Sequence, residues 1–133
     1  QLGVPDMALP IQYALTYPER AATGLVQAVD LFSVGTLTFA PPDEETFGCL
    51  GLAKAAAARG GLAPCVLNAA NEAAVALFLL EKIGFLDIEA LVAAALENVP
   101  AGSYSALSEV LETERAARDF VQSYAEKGGF LRS

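Results

Sequence analysis

Residues 64–84 read P-C-V-L-N-A-A-N-E-A-A-V-A-L-F-L-L-E-K-I-G, and almost every helical face of that stretch is apolar. A helix apolar all round belongs in an interior. Pro64 suits a first helical position, where its missing N–H would be unpaired anyway, and Gly84 suits the left-handed residue that ends a helix. Asn68, Asn71 and Glu72 interrupt the pattern. At i, i+3 and i+4 they share one face. If that face is buried, each group needs a partner, because an unpaired buried polar group costs about 1–3 kcal/mol. Structural hydrogen bonding is the plainer reading of this stripe, and a ligand or catalytic site the sharper one. The unbroken apolar run Ala73–Leu80 is well short of the ~20 residues a membrane span needs, so no membrane is expected as a partner.

A chain of 133 residues accommodates one modest domain, or one domain with an appendage. With 54% hydrophobic and 18% charged residues it is not disordered as a whole. The net charge of −8 and the lack of a basic run exclude nucleic acid and anionic membrane surfaces as expected partners. There is no histidine, which removes Ser-His-Asp and Cys-His catalysis and imidazole zinc sites. The two cysteines, Cys49 and Cys65, are too few for a disulfide scaffold and suit a reducing compartment. Both are read as small buried hydrophobes. There is no initiator Met, and the opening Q-L-G-V-P-D-M reads as the middle of a longer polypeptide.

Along the chain, residues 1–4 suit the tail of a strand and Pro5-Asp6 a turn. Pro10 suits the start of a short helix from Ile11 to about Tyr17, stopped by Pro18, with Tyr13 and Tyr17 packing into a core. Glu19 to Pro42 holds no helical period. It is read as an extended connector between domains, with Leu37-Thr38-Phe39 as a short strand ended by Pro41-Pro42. Leu31, Phe32, Leu37 and Phe39 would anchor it on a neighbouring surface. From Asp43 to Ala125 the pattern is helical. Asp43-Glu44-Glu45 places negative charge at a helix start, Leu50, Ala53 and Ala57 share a face, and Gly60-Gly61 is a stop. Asp87 suits an N-cap ahead of the stripe Ile88, Leu91, Val92, Ala95, Leu96, Val99. After Pro100-Ala101-Gly102, Ser105 suits a cap for a short turn. Thr113 suits a cap for a last helix with Ala116, Ala117, Phe120, Val121 and Tyr124 inward, ended by Gly128-Gly129. The fold class expected is mainly α: a small helical bundle preceded by an extended linker with one or two short strands.

Residue by residue, no active site emerges. Asp43-Glu44-Glu45 and the trio Glu109, Glu112, Glu114 read as solvated helix surface rather than metal clusters. Gly60-Gly61 follows a helix rather than a strand, so it fits neither dinucleotide-binding nor P-loop patterns.

Two stretches carry a family likeness. L-G-V-P-D-M at 2–7 continues through Pro10 to Y-P-E-R at Tyr17–Arg20. L-T-F-A-P-P-D at Leu37–Asp43 is followed by Cys49-Leu50 and by L-N-A-A-N-E at Leu67–Glu72. In this order they resemble the C-terminal third of 1-deoxy-D-xylulose 5-phosphate reductoisomerase, along essentially the whole chain. The resemblance implies a division: residues 1–18 as the end of a central catalytic domain, 19–42 as a linker and 43–133 as a C-terminal helical bundle. It implies a parent enzyme that isomerises and reduces its sugar phosphate with NADPH and a divalent metal, Mg or Mn, working as a cytoplasmic homodimer. It also implies that the cofactor loop, the metal carboxylates and the phosphate-binding segment precede residue 1. This piece alone is therefore expected to bind no cofactor and to be inactive. The residues it would bring near the cofactor are Pro5 and Met7 of the P-D-M turn, with no catalytic or metal ligand carried over. Val4 stands where the family often has Glu. The matched Asn68, Asn71 and Glu72 come over as structural. The alternative is a stand-alone helical protein-interaction module, and a third idea is a small-ligand pocket at Asn68/Glu72.

Overall fold

The computed structural model describes residues 3–22, 24–128 and 130. They fall into two units, residues 1–41 and 42–133, and every regular element is a helix.

The first unit holds two short helices, α1 (Ala8–Thr16) and α2 (Leu31–Val34), and neither buries a residue. α1 starts earlier than Pro10 suggests, because Asp6 Oδ1 accepts a hydrogen bond from Ala8 N at 2.8 Å and nucleates the first turn. Pro10 is tolerated as its third residue, since N–H groups there have no intrahelical partner. Tyr13 and Tyr17 meet edge to face at 5.7 Å, but not in a core: Tyr17 is exposed. The connector is not wholly irregular. Asp30 caps α2, its side chain accepting from Phe32 N at 3.0 Å. The expected strand at Leu37-Thr38-Phe39 does not form, nor is Gly3-Val4 a strand; residues 1 and 2 lie outside the described residues. A strand needs a hydrogen-bonded neighbour, and no described residue supplies one.

The second unit is a bundle of four helices: α3 (Gly48–Arg59), α4 (Ala63–Leu79), α5 (Asp87–Asn98) and α6 (Leu107–Lys127). α4 packs against the other three. Its Val66, Ala69, Ala70, Ala73, Ala74 and Leu77 meet Leu91, Val92 and Ala95 of α5 and Ala117, Val121 and Ala125 of α6 in one core. The alanines let the helices approach closely, and Ile83, behind α4, is almost fully buried.

Helix ends depart from expectation in instructive ways. Pro64 is the second residue of α4. The helix stops at Leu79, well before Gly84. Glu81 takes the left-handed position (φ 59°), and Lys82 N bonds Leu77 O while Glu81 N bonds Phe78 O, both at 2.9 Å. This double closure is the Schellman motif, here on a non-glycine residue. Asp87 is the first residue of α5 rather than its cap, and its Oδ2 accepts from Gly84 N at 2.6 Å. Asp43-Glu44-Glu45 precedes α3 in a turn, with Asp43 Oδ1 accepting from Thr46 N at 2.9 Å. On α3 the buried residue is Ala56, not Leu50, Ala53 or Ala57. Ser105 and Thr113 cap nothing: α6 is one continuous helix with Thr113 buried inside it. Its start is held instead by Glu109, which accepts from Ser105 N at 2.6 Å and Ala106 N at 3.1 Å. Its buried line is Thr113, Ala117, Val121 and Ala125, while Ala116 and Tyr124 are exposed. Gly128 closes it, and Gly129 lies outside the described residues.

Candidate functional site

Asp6 fixes the turn in front of α1 by bonding Ala8 N, and this presents Pro5 and Met7 outward. Met7 is 69% exposed. The two residues line one open hollow of about 570 Å³ with Val4, Leu9, Pro10 and Tyr13. Its surface is largely apolar, with Asp6 as the charged group. At the sequence level Pro10 reads only as a helix start and Tyr13 only as a core aromatic, and Leu9 has no role. Their spacing, Tyr13 following Leu9 by four and Pro10 by three, is that of one helix face and could have placed them beside the turn. The Arg20 guanidinium sits over the Tyr13 ring, 4.3 Å from its centroid, where the electron-rich face attracts the cation. Gln12 Nε2 donates to the Ala21 carbonyl and ties the following segment back to α1. The hollow can offer a soft apolar wall to a flat or apolar group. Its carboxylate, Asp6, is engaged by the Ala8 N–H.

The Asn68–Asn71–Glu72 stripe is the second place singled out, and burial is corrected there: Asn68 and Glu72 are exposed and Asn71 half-buried. α4 dips its apolar faces into the core and leaves this edge at the surface. Asn68 Nδ2 donates to Glu72 Oε1 at 3.1 Å. Arg118 of α6 donates to Glu72 Oε2 and to Glu114 Oε1, the latter at 2.9 Å. The Arg118 guanidinium and the Asn68 amide together hold the Glu72 carboxyl below its ordinary range. Arg118 was missed and Glu114 was read only as solvated helix surface, although their i, i+4 spacing on α6 was a visible signal. This cluster links α4 to α6. Each oxygen of the Glu72 carboxylate accepts one of these donors, which favours the charged form and a structural tie.

The cysteines are also corrected. Cys49 is exposed and Cys65 half-buried. Cys65 Sγ lies 3.5 Å from the Val110 carbonyl, to which it donates. Partial burial, with Glu89 nearby, pushes the Cys49 thiol up, and partial burial with Glu114 does the same to Cys65. Neither is an activated nucleophile. Among the described residues no three His, Cys, Asp or Glu side chains are grouped to hold a metal, and no helix is long and apolar enough to cross a membrane.

Against this geometry the comparisons with known proteins are specific. Residues 2–120 match the family model described as DXP reductoisomerase C-terminal domain. A 1-deoxy-D-xylulose 5-phosphate reductoisomerase from Chlorobium chlorochromatii is 49% identical over 93% of the chain, which spans 32% of that relative. One from Crocosphaera subtropica is 48% identical over 95% of the chain, again 32% of the relative. Among solved structures, the reductoisomerase from Zymomonas mobilis in complex with NADPH aligns at a TM-score of 0.84 and 39% identity, covering 95% of this chain and 33% of that one. A reductoisomerase in complex with NADPH, fosmidomycin and magnesium aligns at 0.77 and 38% identity over the same share. The chain thus spans about a third of the length of the proteins it matches.

Proposed function

Because this chain belongs to the DXP reductoisomerase C-terminal domain family, we propose that it serves as the C-terminal third of an enzyme that isomerises and reduces 1-deoxy-D-xylulose 5-phosphate to 2-C-methyl-D-erythritol 4-phosphate with NADPH and a divalent metal, Mg or Mn. The observation that carries this is colinearity: the match runs from residue 2 to residue 120, into relatives three times as long. A cytoplasmic homodimer is the assembly that goes with it, on family likeness alone.

On this reading the cofactor and metal sites belong to the rest of the parent polypeptide. The described part has no metal-ligand group and no strand leading into a glycine-rich turn, so no chemical step is assigned to its residues. Their part is contact. Pro5 and Met7 form an apolar, exposed edge beside a hollow, and the reading gives them the nicotinamide side of the parent's site as a wall that excludes water. Residues 19–42 then serve as a linker whose exposed Leu31, Phe32, Leu37 and Phe39 are covered by the rest of the parent polypeptide. The bundle from residue 43 onward is a support, with Asn68 and Glu72 held structurally.

The test is to follow NADPH oxidation with the sugar phosphate and Mg or Mn, using the intact parent and this 133-residue chain side by side. The parent turns over and the chain alone does not. An inactive parent overturns the assignment, and turnover by the chain alone overturns the division of labour.

A further inference from the structure

The bundle carries a second hollow, about 240 Å³, between the starts of α3 and α5 and the middle of α4. Phe47 and Phe85 line it at 64% and 70% exposure. Thr46, Cys49, Asn71 and Glu89 are its lining residues with polar side chains. Glu89 reaches in because residue 48 has no side chain: a Cβ on Gly48 would lie 2.0 Å from Glu89 Oε1. The carboxylate lies against the first residue of α3, a helix with no acidic residue in its own first turn and no side-chain cap. Among the described residues Glu89 makes no ion pair, whereas Lys54 is engaged by Glu44 and Arg118 by Glu72 and Glu114. No Lys or Arg lines the hollow.

Two accessible aromatic rings and an unpaired carboxylate around one apolar hollow are the chemistry that receives a cation carried on an apolar stem. A guanidinium fits best, since it stacks on aromatic faces and forks onto a carboxylate. We propose that this hollow docks an arginine side chain flanked by apolar residues, presented by the part of the parent polypeptide outside this chain. The acidic balance of the chain, −8 overall, favours a basic occupant. The source of the occupant rests on the reading given under Proposed function, while the chemistry of the hollow does not.

Cys49 is the reporter, being exposed and part of the lining, and Cys65 is the internal control. Alkylation of each thiol in the 133-residue chain is followed by mass spectrometry with the peptide Ac-Leu-Arg-Leu-NH2 or its citrulline counterpart. The arginine peptide slows Cys49 alkylation at concentrations about tenfold lower than the citrulline peptide, the loss expected when a charge-assisted pair becomes a neutral one. Cys65 is unaffected, and Glu89→Gln abolishes the difference while the circular dichroism spectrum stays helical. Equal protection by both peptides, or protection by neither, overturns the docking of arginine. In the intact parent, Cys49 reacts more slowly than in the chain with no peptide added. A Cys49 equally fast in both overturns the source of the occupant but leaves the hollow's preference, and the reductoisomerase assignment, to their own tests.

Discussion

The two units of this chain spend comparable proportions of apolar residues in opposite ways. In the bundle, Val66, Leu91, Val92 and Val121 are essentially sealed from solvent, because four helices surround a shared interior. In the leading unit, α1 and α2 bury nothing. Phe32 is 98% exposed and Phe39 87%. The same residue types thus report two kinds of completeness: one unit closes its own core, and the other presents a face without an interior to place it in. Large exposed apolar residues gathered in one segment mark a surface meant to be covered.

The contrast can be broken most forcefully in the bundle. Leu91→Ala removes a fully buried side chain and is expected to cost about 3–4 kcal/mol by urea denaturation followed by circular dichroism; a cost below ~1 kcal/mol would deny that α5 and α4 share a tight core. Gly61→Ala comes next. Gly61 sits at φ +57°, and a Cβ there would lie 2.4 Å from the Gly102 carbonyl oxygen, where Leu62 N also bonds at 2.9 Å. Left-handed strain plus a backbone collision should cost about 2–3 kcal/mol in the same assay. Glu81→Gly runs the other way, raising stability by up to ~1 kcal/mol because glycine carries no penalty at φ 59°.

A pH titration tests the surface ties of the bundle, and its effect should be smaller. Two backbone N–H groups, Ser105 first, hold the Glu109 carboxyl below its ordinary value, and Arg118 first, then Asn68, does so for Glu72. Both folded values are depressed. Their stabilisation is therefore present above the ordinary carboxylate range and is lost as pH falls through the lowered values. The melting temperature should decline on acidification, less steeply in Glu109→Gln, and a variant with an unchanged slope would remove Glu109 from the account. The smallest effect belongs to the leading unit: Phe32→Ser in this chain should change stability by under about 0.5 kcal/mol. In the parent polypeptide proposed above the same change should cost visibly more in thermal stability, and an equal effect in both would show that the connector stays uncovered there.

Much of this was readable beforehand, and the failures have common causes. Of the stripe Ile88, Leu91, Val92, Ala95, Leu96 and Val99, all are buried except Leu96, which is half-buried, since 3.6-residue spacing largely fixes which face turns inward. Helix ends were harder. Gly84 was an eligible stop and Thr113 an eligible start, but the chain used Glu81 for the one and ran α6 straight through the other. Packing against α4 outweighs a local preference worth under a kcal/mol. The strand at Leu37–Phe39 failed because pairing is non-local. At the candidate site, Pro5 and Met7 share a hollow, but the Tyr13 wall and the Arg20 ring contact came from how α1 folds back on its neighbours in space.

The sequence by itself determined that this chain is helical, that its longest apolar stretch is the axis of a bundle, and that its motifs belong to the reductoisomerase family. Local periodicity and residue identity carry those facts. Only the tertiary structure decided that Glu72 is tied to Arg118 rather than buried, that Glu89 sits against Gly48, and that Cys49 faces solvent. Each joins residues dozens of positions apart or depends on which of two apolar faces wins the interior. That choice is made by the packing of whole helices, where several kcal/mol of burial override the few tenths that any one residue prefers.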